Sequence, residues 1–256
     1  MNILLYFTIL IALTLQTFGS TSEYGYIVGV DSSDAALWLT DVAGNVAPAI
    51  KLKNPVGTNS DGIAESVISV FNNLYIVGGY NIPSPGSSSL WIGNLAGNMQ
   101  NAMNLKNING SNNQNGLSYS ITTLSNTIYM SGIDYHNGSY HPCLWISDLA
   151  GNAKNSIDLK NPDGSNPPNG YAIAVTTYLN TLYIAGADYH NGNYYPCLWI
   201  SDLAGNAQNA IELKNPDGSS AVSGKAYSIY FPIPLATQLT QAANSFGNLI
   251  YLKKSL

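Results

Sequence analysis

The sequence predicts an all-β protein assembled from four copies of one unit, and three observations support this prediction. A stretch at 132–153, GIDYHNGSYHPCLWISDLAGNA, recurs at 186–207 as GADYHNGNYYPCLWISDLAGNA. Short apolar runs alternate with Gly, Pro, Asn and Asp, and no segment shows the 3.6-residue apolar period of a helix. The four tryptophans lie 53, 54 and 54 residues apart, at Trp38, Trp91, Trp145 and Trp199.

Each unit contains four β-rich runs separated by turn residues. In the copy that follows Gly170, these runs are YAIAVTTYLN, TLYIAGADY, CLWISD and AIELK. Repeats of about 50 residues with four short strands are typical of the blades of a β-propeller, which are arranged around a central axis. The sequence therefore predicts a β-propeller of four blades, each with four antiparallel strands.

The recurring glycines define the limits of the units. The first unit lacks a run equivalent to YAIAVTTY, and residues 224–231 (GKAYSIYF) match the start of such a run. We expect this segment to complete the first blade and close the ring, because closure removes exposed strand edges. A truncated larger propeller is the alternative, because the tail at 232–256 breaks the pattern. The propeller domain then spans 24–231, with units at 24–61, 62–115, 116–169 and 170–223.

Small residues recur in the first strand of each unit, two residues after the recurring glycine. Successive residues of a strand face opposite sides. A face made of Ala and Ser suits strands that crowd around a narrow axis, although such residues can also lie beneath a large neighbour. The residues concerned are Ala64, Ser118, Ala172 and Ala226.

The second run of each unit resembles a known family. The stretches FNNLYIVGG, SNTIYMSG and LNTLYIAG share an Asn-containing turn, a hydrophobic–Tyr–hydrophobic strand and a glycine. This pattern resembles the repeats of kelch-like, bacterial-type β-propeller proteins over residues 24–231. The resemblance implies a propeller fold and does not specify a ligand.

The N-terminus has the features of a secretory signal peptide. An apolar run of thirteen residues at 3–15 precedes small polar residues, whereas a membrane-spanning helix needs about 20 apolar residues. We expect residues 1–20 to be removed, which leaves a secreted, periplasmic or extracellular protein without a membrane span. An uncleaved anchor and a buried strand are the alternatives.

Composition and spacing argue against several kinds of partner. Charged residues make up 9% of the chain and the net charge is −5, whereas nucleic-acid binding requires a basic patch. Cys143 and Cys197 occupy equivalent strands of neighbouring units, which should lie further apart than the roughly 7 Å that a disulfide allows. The turn motifs DLAGN and NPDG each carry one Asp, too few for calcium. We therefore predict no nucleic-acid partner, disulfide, metal or cofactor.

The loops between the second and third strands of the last two units are the candidate binding surface. Their sequences, DYHNGSYHP and DYHNGNYYP, combine aromatic rings with amides and imidazoles. Such loops on a rigid scaffold commonly bind ligands, and this composition suits an uncharged glycan or a protein loop. The alternative is that the loops only pack on their neighbours. The predicted residues are Tyr135, His136, Asn137, Tyr140, Tyr189, His190, Asn191, Tyr194 and Tyr195.

Catalysis is not predicted. A Ser-His-Asp set needs one specifically oriented histidine, but His136 and His190 are copies of each other. A glycosidase needs two carboxylates about 5–10 Å apart, and those expected near the axis, Asp61 and Glu65, come from one unit. The sequence therefore favours a binding or interaction protein. A scaffold or truncated repeat protein without a ligand is the alternative, and a glycosidase-type enzyme is less favoured.

Overall fold

The computed structural model describes residues 24–59, 61–81, 86–112 and 115–232. These residues form strands and turns, with no helix among them. The predicted signal peptide and all but the first residue of the predicted tail lie outside the described residues. Within the described part of the chain, no helix has the length and apolar character needed to cross a membrane.

Fifteen strands form four antiparallel sheets, one for each repeat unit, which confirms the all-β class. Strands that follow one another in sequence are neighbours in each sheet. The first sheet contains β1 (Gly25–Asp31), β2 (Asp34–Thr40) and β3 (Ile50–Lys51). The second contains β4 (Gly62–Val70), β5 (Asn73–Tyr80), β6 (Ser87–Asn94) and β7 (Met103–Asn104). The third contains β8 (Leu117–Leu124), β9 (Thr127–His136), β10 (Ser139–Asp148) and β11 (Ile157–Asp158). The fourth contains β12 (Tyr171–Tyr178), β13 (Thr181–His190), β14 (Asn193–Ser201) and β15 (Ile211–Glu212).

The core consists of three buried clusters, each between two consecutive sheets. The later three tryptophans are fully buried, whereas Trp38 is half-buried, because no described sheet precedes the first one. Each buried indole N–H also donates a hydrogen bond to a carbonyl of the preceding repeat. These bonds join Trp91 to Lys53 at 2.8 Å, Trp145 to Lys106 at 2.7 Å and Trp199 to Lys160 at 2.8 Å.

A β-bulge occurs at the same position in the first strand of the second, third and fourth sheets. The bulge residues Glu65, Tyr119 and Ile173 have no partner in the strand register. Here the first strand approaches the second so closely that a Cβ on the glycine of the second strand would overlap a carbonyl oxygen of the first. The pairs are Gly78 with Ile63, Gly132 with Leu117 and Gly186 with Tyr171. The repeated glycine is therefore a packing requirement of the bulge.

The small residues of the first strands lie against the preceding sheet. Ala64 and Ala172 belong to the clusters between sheets. The Ser118 hydroxyl lies 3.1 Å from the amide nitrogen of Gly78 and donates to its carbonyl oxygen at 2.9 Å. Ala64, Ser118 and Ala172 therefore lie in the contacts between sheets, as the alternative expected. The first strands of successive sheets also contact one another, and their crowding around an axis stays a prediction.

The strand that residues 224–231 were expected to add to the first sheet does not form. β1 pairs with β2 alone, and residues 224–231 contain no strand. They lie against the fourth sheet instead, because the Ala226 amide donates to the Gly186 carbonyl at 3.0 Å and the Phe231 ring contacts that of Tyr183 at 4.4 Å. Over the described residues, the sheets form a propeller-like series in which no buried cluster joins the fourth sheet to the first.

Candidate functional site

Two equivalent hairpins position the predicted binding residues. β9–β10 and β13–β14 turn at Asn137-Gly138 and Asn191-Gly192, whose φ angles of 50–82° are all positive. Asn-Gly in this conformation is typical of a type I′ hairpin turn. Tyr135 pairs with Tyr140 across the third sheet, so these rings share one face of the hairpin. The other face of the hairpin carries Asp134, His136 and His141, and His141 is the register partner of Asp134.

The third sheet contains a histidine held between two carboxylates, which we call the third-sheet cluster. His136 Nδ1 lies 3.4 Å from Asp134 Oδ2, and His136 Nε2 lies 3.2 Å from Asp158 Oδ2. The His136 and Asp158 side chains are each 4% exposed and that of Asp134 is fully buried. The His141 ring stacks on His136 at a centroid distance of 4.0 Å. The cluster therefore holds two buried acids around one imidazole.

Few hydrogen bonds compensate the buried charges of this cluster. Asp134 Oδ2 accepts hydrogen bonds from the Ile108 amide at 3.0 Å and from the Ser156 hydroxyl. Asp134 Oδ1, Asp158 Oδ1, His136 Nδ1 and His141 Nδ1 are buried without a hydrogen-bond partner among the described residues. Burial raises the pKa of Asp158 and, together with the charge of His136, lowers the pKa of His141. Such unsatisfied groups destabilise a fold, so the imidazole is the main compensation for both acids.

The fourth-sheet cluster repeats this arrangement in a more open form. His190 Nδ1 lies 3.3 Å from Asp188 Oδ1, and His190 Nε2 lies 3.3 Å from Glu212 Oε1. The His190 side chain is 23% exposed, and Tyr195 stacks on it at 4.0 Å. Lys214 Nζ lies 3.6 Å from Glu212 Oε2 and supplies a positive charge. Burial raises the pKa of Asp188 to about 6, against the opposing effect of His190.

The third-sheet cluster does not have the geometry of a preformed metal site. His136, His141 and Asp158 offer ligand atoms within 4.8 Å of one another, as do Asp188, His190 and Glu212. The two nitrogens of His136 face different carboxylates, however, and the planes of its ring and that of His141 differ by 19° at 4.0 Å. A metal ion lies in the plane of each imidazole that binds it. One ion therefore cannot bind both stacked rings without their rotation, and the absence of a metal stays a prediction.

The Ser139–His141 pair is an incomplete catalytic arrangement. Ser139 Oγ lies 2.9 Å from His141 Nε2, as in a nucleophile–base pair. His141 Nδ1, however, has no hydrogen-bond partner within the described ranges. No carboxylate therefore orients the imidazole, as a Ser-His-Asp set requires.

A cleft lies between the loop after β7 and the tip of the β9–β10 hairpin, and we call it the Asn-lined cleft. Its volume is about 560 Å³. Asn107 holds the loop in place because its Oδ1 accepts hydrogen bonds from the amides of Asn109 and Ser111 at 3.0 and 3.1 Å. Among the described residues, no Lys, Arg, Asp or Glu lines the cleft. The lining residues are Asn107, Asn109, Ser111, Asn112, Asn115, Tyr135, His136 and Asn137.

The predicted binding residues lie on both faces of their hairpins, because adjacent positions project to opposite sides of a strand. Tyr135, His136 and Asn137 line the Asn-lined cleft. In the fourth sheet, Tyr194 contacts the rings of Tyr189 and Tyr171, and Tyr171 and Tyr140 line one further pocket. The remaining predicted residues are Tyr140, which contacts Tyr135, Tyr195, which stacks on His190, and Asn191 at the exposed turn.

Sequence reasoning missed the acids of both clusters. Asp134 and Asp188 stand two residues before the histidines, so all project from one face of a strand. Asp158 and Glu212 occupy equivalent positions 54 residues apart, and this shared position was the available signal. No protein-family model matches the chain, and no curated protein matches it significantly. The kelch-like resemblance therefore stays a prediction, and the functional argument depends on geometry.

Proposed function

We propose that this chain is an exported binding protein that recognises a neutral oligosaccharide at the Asn-lined cleft. The lining of this cleft carries the proposal, because it combines five asparagine side chains with a serine, a histidine and one tyrosine ring. Amide groups both donate and accept hydrogen bonds, as sugar hydroxyls do. The tyrosine ring offers an apolar surface for the faces of sugar rings.

The shape of the cleft favours a small ligand over a protein surface. Its volume of about 560 Å³ falls within the roughly 300–1,000 Å³ of typical small-molecule sites. The Asx hydrogen bonds of Asn107 fix the loop before a ligand arrives, which lowers the entropic cost of binding. A short oligosaccharide therefore fits better than a protein loop, the other ligand that the sequence allowed.

Isothermal titration of the full chain with a panel of neutral oligosaccharides tests this proposal. We expect Asn112→Ala and Tyr135→Ala each to weaken binding by about tenfold, the value of one good hydrogen bond or ring contact. The matched controls are Asn166→Ala and Tyr189→Ala, at the equivalent positions one repeat later. Binding by none of the sugars would favour a scaffold without a ligand, and equal losses in both pairs would place the site elsewhere.

We also propose that the four sheets are the blades of a closed propeller, with residues 224–231 as the missing first strand. The residues just before this segment have the same backbone geometry as the residues just before β8 and β12. Asn115, Asn169 and Ser223 have φ angles of 63°, 64° and 61°. The Ser223 amide donates to the Tyr194 carbonyl at 2.7 Å, as the Asn169 amide donates to Tyr140. The segment therefore follows the same turn that precedes a first strand in the third and fourth sheets, which supports its assignment as a first strand.

The first sheet offers the surface that this strand would cover. β1 exposes Ile27 and Val30 by 48% and 44%, and an open apolar strand edge invites pairing. Trp38 is the one tryptophan whose indole has no bond to a preceding repeat among the described residues. The carbonyl at the equivalent position is that of Lys214. Closure would satisfy the strand edge and the indole together.

Cysteine cross-linking tests closure and its register. Val67 pairs with Ile76 in the second sheet, and the equivalent residues of the closing pair are Ile229 and Ile27. We expect Ile27→Cys with Ile229→Cys to form a disulfide on oxidation, whereas Ile27→Cys with Ser228→Cys should not. The native cysteines are buried and free, and peptide mass spectrometry identifies the linked pair. Failure of both pairs would favour the truncated larger propeller.

A further inference from the structure

We infer that a second pocket binds a small zwitterion with an apolar side chain, of the α-amino acid class. We call it the inner-strand pocket, because it lies among the first strands of the second, third and fourth sheets and the segment 224–231. Its volume is about 280 Å³. Its site and ligand are independent of those proposed for the Asn-lined cleft. The lining residues are Glu65, Tyr119, Tyr171, Ile173, Lys225 and Tyr227.

The repeated β-bulge builds this pocket. Glu65, Tyr119 and Ile173 are the bulge residues of three successive sheets, and all three line the pocket. A bulge redirects the side chain of its extra residue and is common beside binding sites. The same backbone feature therefore delivers an acid, a phenol and an aliphatic side chain to one place.

Two opposite charges line the pocket without neutralising each other. Neither Glu65 nor Lys225 forms an ion pair with any residue that the structure describes. Burial raises the pKa of Glu65 and lowers that of Lys225, and the exposed Glu65 side chain stays accessible to a ligand. In a chain with 9% charged residues, an unpaired acid and base in one pocket call for a ligand with the complementary charges.

The position of Lys225 suits it to bind a carboxylate. Its Nζ lies 3.6 Å from the centroid of the Tyr171 ring and 5.1 Å from that of Tyr194. Cation–π contacts of this kind hold the ammonium at the wall and leave its N–H groups able to donate to a ligand. Tyr171 and Tyr194 thus orient the base, and Glu65 remains to accept a hydrogen bond from a ligand ammonium.

The size and walls of the pocket define the rest of the ligand. About 280 Å³ is slightly less than the roughly 300–1,000 Å³ of sites for drug-sized molecules, so the ligand must be small. Tyr119, Ile173 and Tyr227 offer apolar surface for an aromatic or aliphatic side chain. A simple amine would satisfy Glu65 alone and a simple acid would satisfy Lys225 alone, whereas an amino acid satisfies both.

Titration calorimetry on the full chain separates these ligands, with L-phenylalanine, phenethylamine and 3-phenylpropionate as probes. We expect L-phenylalanine to bind at least about tenfold more tightly than either analogue, because each analogue loses one charge-assisted hydrogen bond. Glu65→Gln and Lys225→Met should each weaken L-phenylalanine binding by a similar factor. Asn112→Ala, in the Asn-lined cleft, should leave it unchanged.

Two results would overturn the inference. The first is no binding of L-phenylalanine at millimolar concentration. The second is equal affinity for L-phenylalanine in wild type, Glu65→Gln and Lys225→Met. Both results are independent of the oligosaccharide titration, because the two pockets share no lining residue.

Discussion

The third-sheet and fourth-sheet clusters share one geometry but differ in how much each depends on its histidine. Both place an imidazole between two carboxylates, with a second ring stacked at 4.0 Å. The His136 side chain is 4% exposed and that of His190 is 23% exposed. Lys214 adds a positive charge beside Glu212. The comparison shows that the repeat fixes the arrangement, whereas single substitutions set its energetic cost.

The first two sheets have a simpler contact at the same place. The short last strand of each sheet carries a polar residue at one equivalent position, namely Lys51, Asn104, Asp158 or Glu212. Lys51 pairs with Asp34 at 2.7 Å, and Asn104 accepts a hydrogen bond from Tyr80 at 2.6 Å. A polar bond therefore ties this strand to its sheet in all four repeats, and the histidine clusters are two versions of a structural link.

The largest expected effect is the loss of the buried histidine. His136→Ala removes the imidazole that lies between two buried acids, so we expect the free energy of unfolding to fall by about 3–5 kcal/mol. His190→Ala should reduce it by about 1–2 kcal/mol, because Lys214 and solvent still compensate Glu212. Urea unfolding of both variants measures the difference. Equal losses would show that exposure does not distinguish the clusters.

The pH dependence of stability sharpens the comparison further. Burial raises the pKa of Asp188 to about 6 from 3.8, so the folded protein holds this proton more tightly than the unfolded chain. The resulting stabilisation is complete below about pH 4 and is lost as the pH rises through about 6. We expect Asp188→Asn to flatten this fall in urea unfolding measured from pH 4 to pH 7. The control is Asp148→Asn, because turn hydrogen bonds lower the pKa of the exposed Asp148, which gives a contribution of opposite sign.

Exchanging the stacked rings should change little. Tyr195 covers His190 as His141 covers His136, with interplanar angles of 13° and 19°. We therefore expect His141→Tyr to alter the free energy of unfolding by about 1 kcal/mol, through loss of the hydrogen bond with Ser139. Thermal unfolding monitored by near-ultraviolet circular dichroism tests this. A loss as large as that of His136→Ala would show that His141 carries a charge role of its own.

The smallest effect belongs to the exposed base of the fourth-sheet cluster. Lys214 is 53% exposed and lies 3.6 Å from Glu212, and exposed ion pairs contribute about 0–1 kcal/mol. Lys214→Met should therefore lower stability by no more than this in wild type. The same substitution should cost more in the His190→Ala background, where Lys214 is the remaining counter-charge. A double-mutant cycle with no coupling between the two changes would contradict this account of Lys214.

The sequence predicted the modules better than the chemistry between them. Four repeats of short strands were readable from the spacing of Trp and Gly, because packing between sheets requires the same residue in every copy. The bulge was hidden, since a one-residue shift in register leaves composition unchanged and sends Tyr119 and Glu65 to a different face. The clusters were hidden as well, because they join residues of the hairpin to an acid on a separate strand. Asp158 lies 22 residues after His136 in the chain.

 Asp134 and Asp158 also lie on different strands, β9 and β11, so the alternation of side chains along one strand does not bring them together.

The predicted binding residues were only partly grouped by the fold. Tyr135, His136 and Asn137 meet the asparagines of the preceding repeat in one cleft, which the sequence could not show because the loop and the hairpin belong to different units. In the equivalent loop of the next unit, Asp163 replaces Asn109. The loop that lines the neutral cleft therefore has a charged equivalent in the next unit, so ligand binding at the two loops can be compared directly.

Hydrogen exchange of the full chain with the tightest-binding neutral oligosaccharide tests the central claim most directly. We predict slower exchange for amides of residues 107–112, 115 and 135–137 when the sugar is present, with no change at 161–169 and 189–191. Equal protection of both regions, or protection confined to residues outside the Asn-lined cleft, would contradict the claim that this cleft is the binding site.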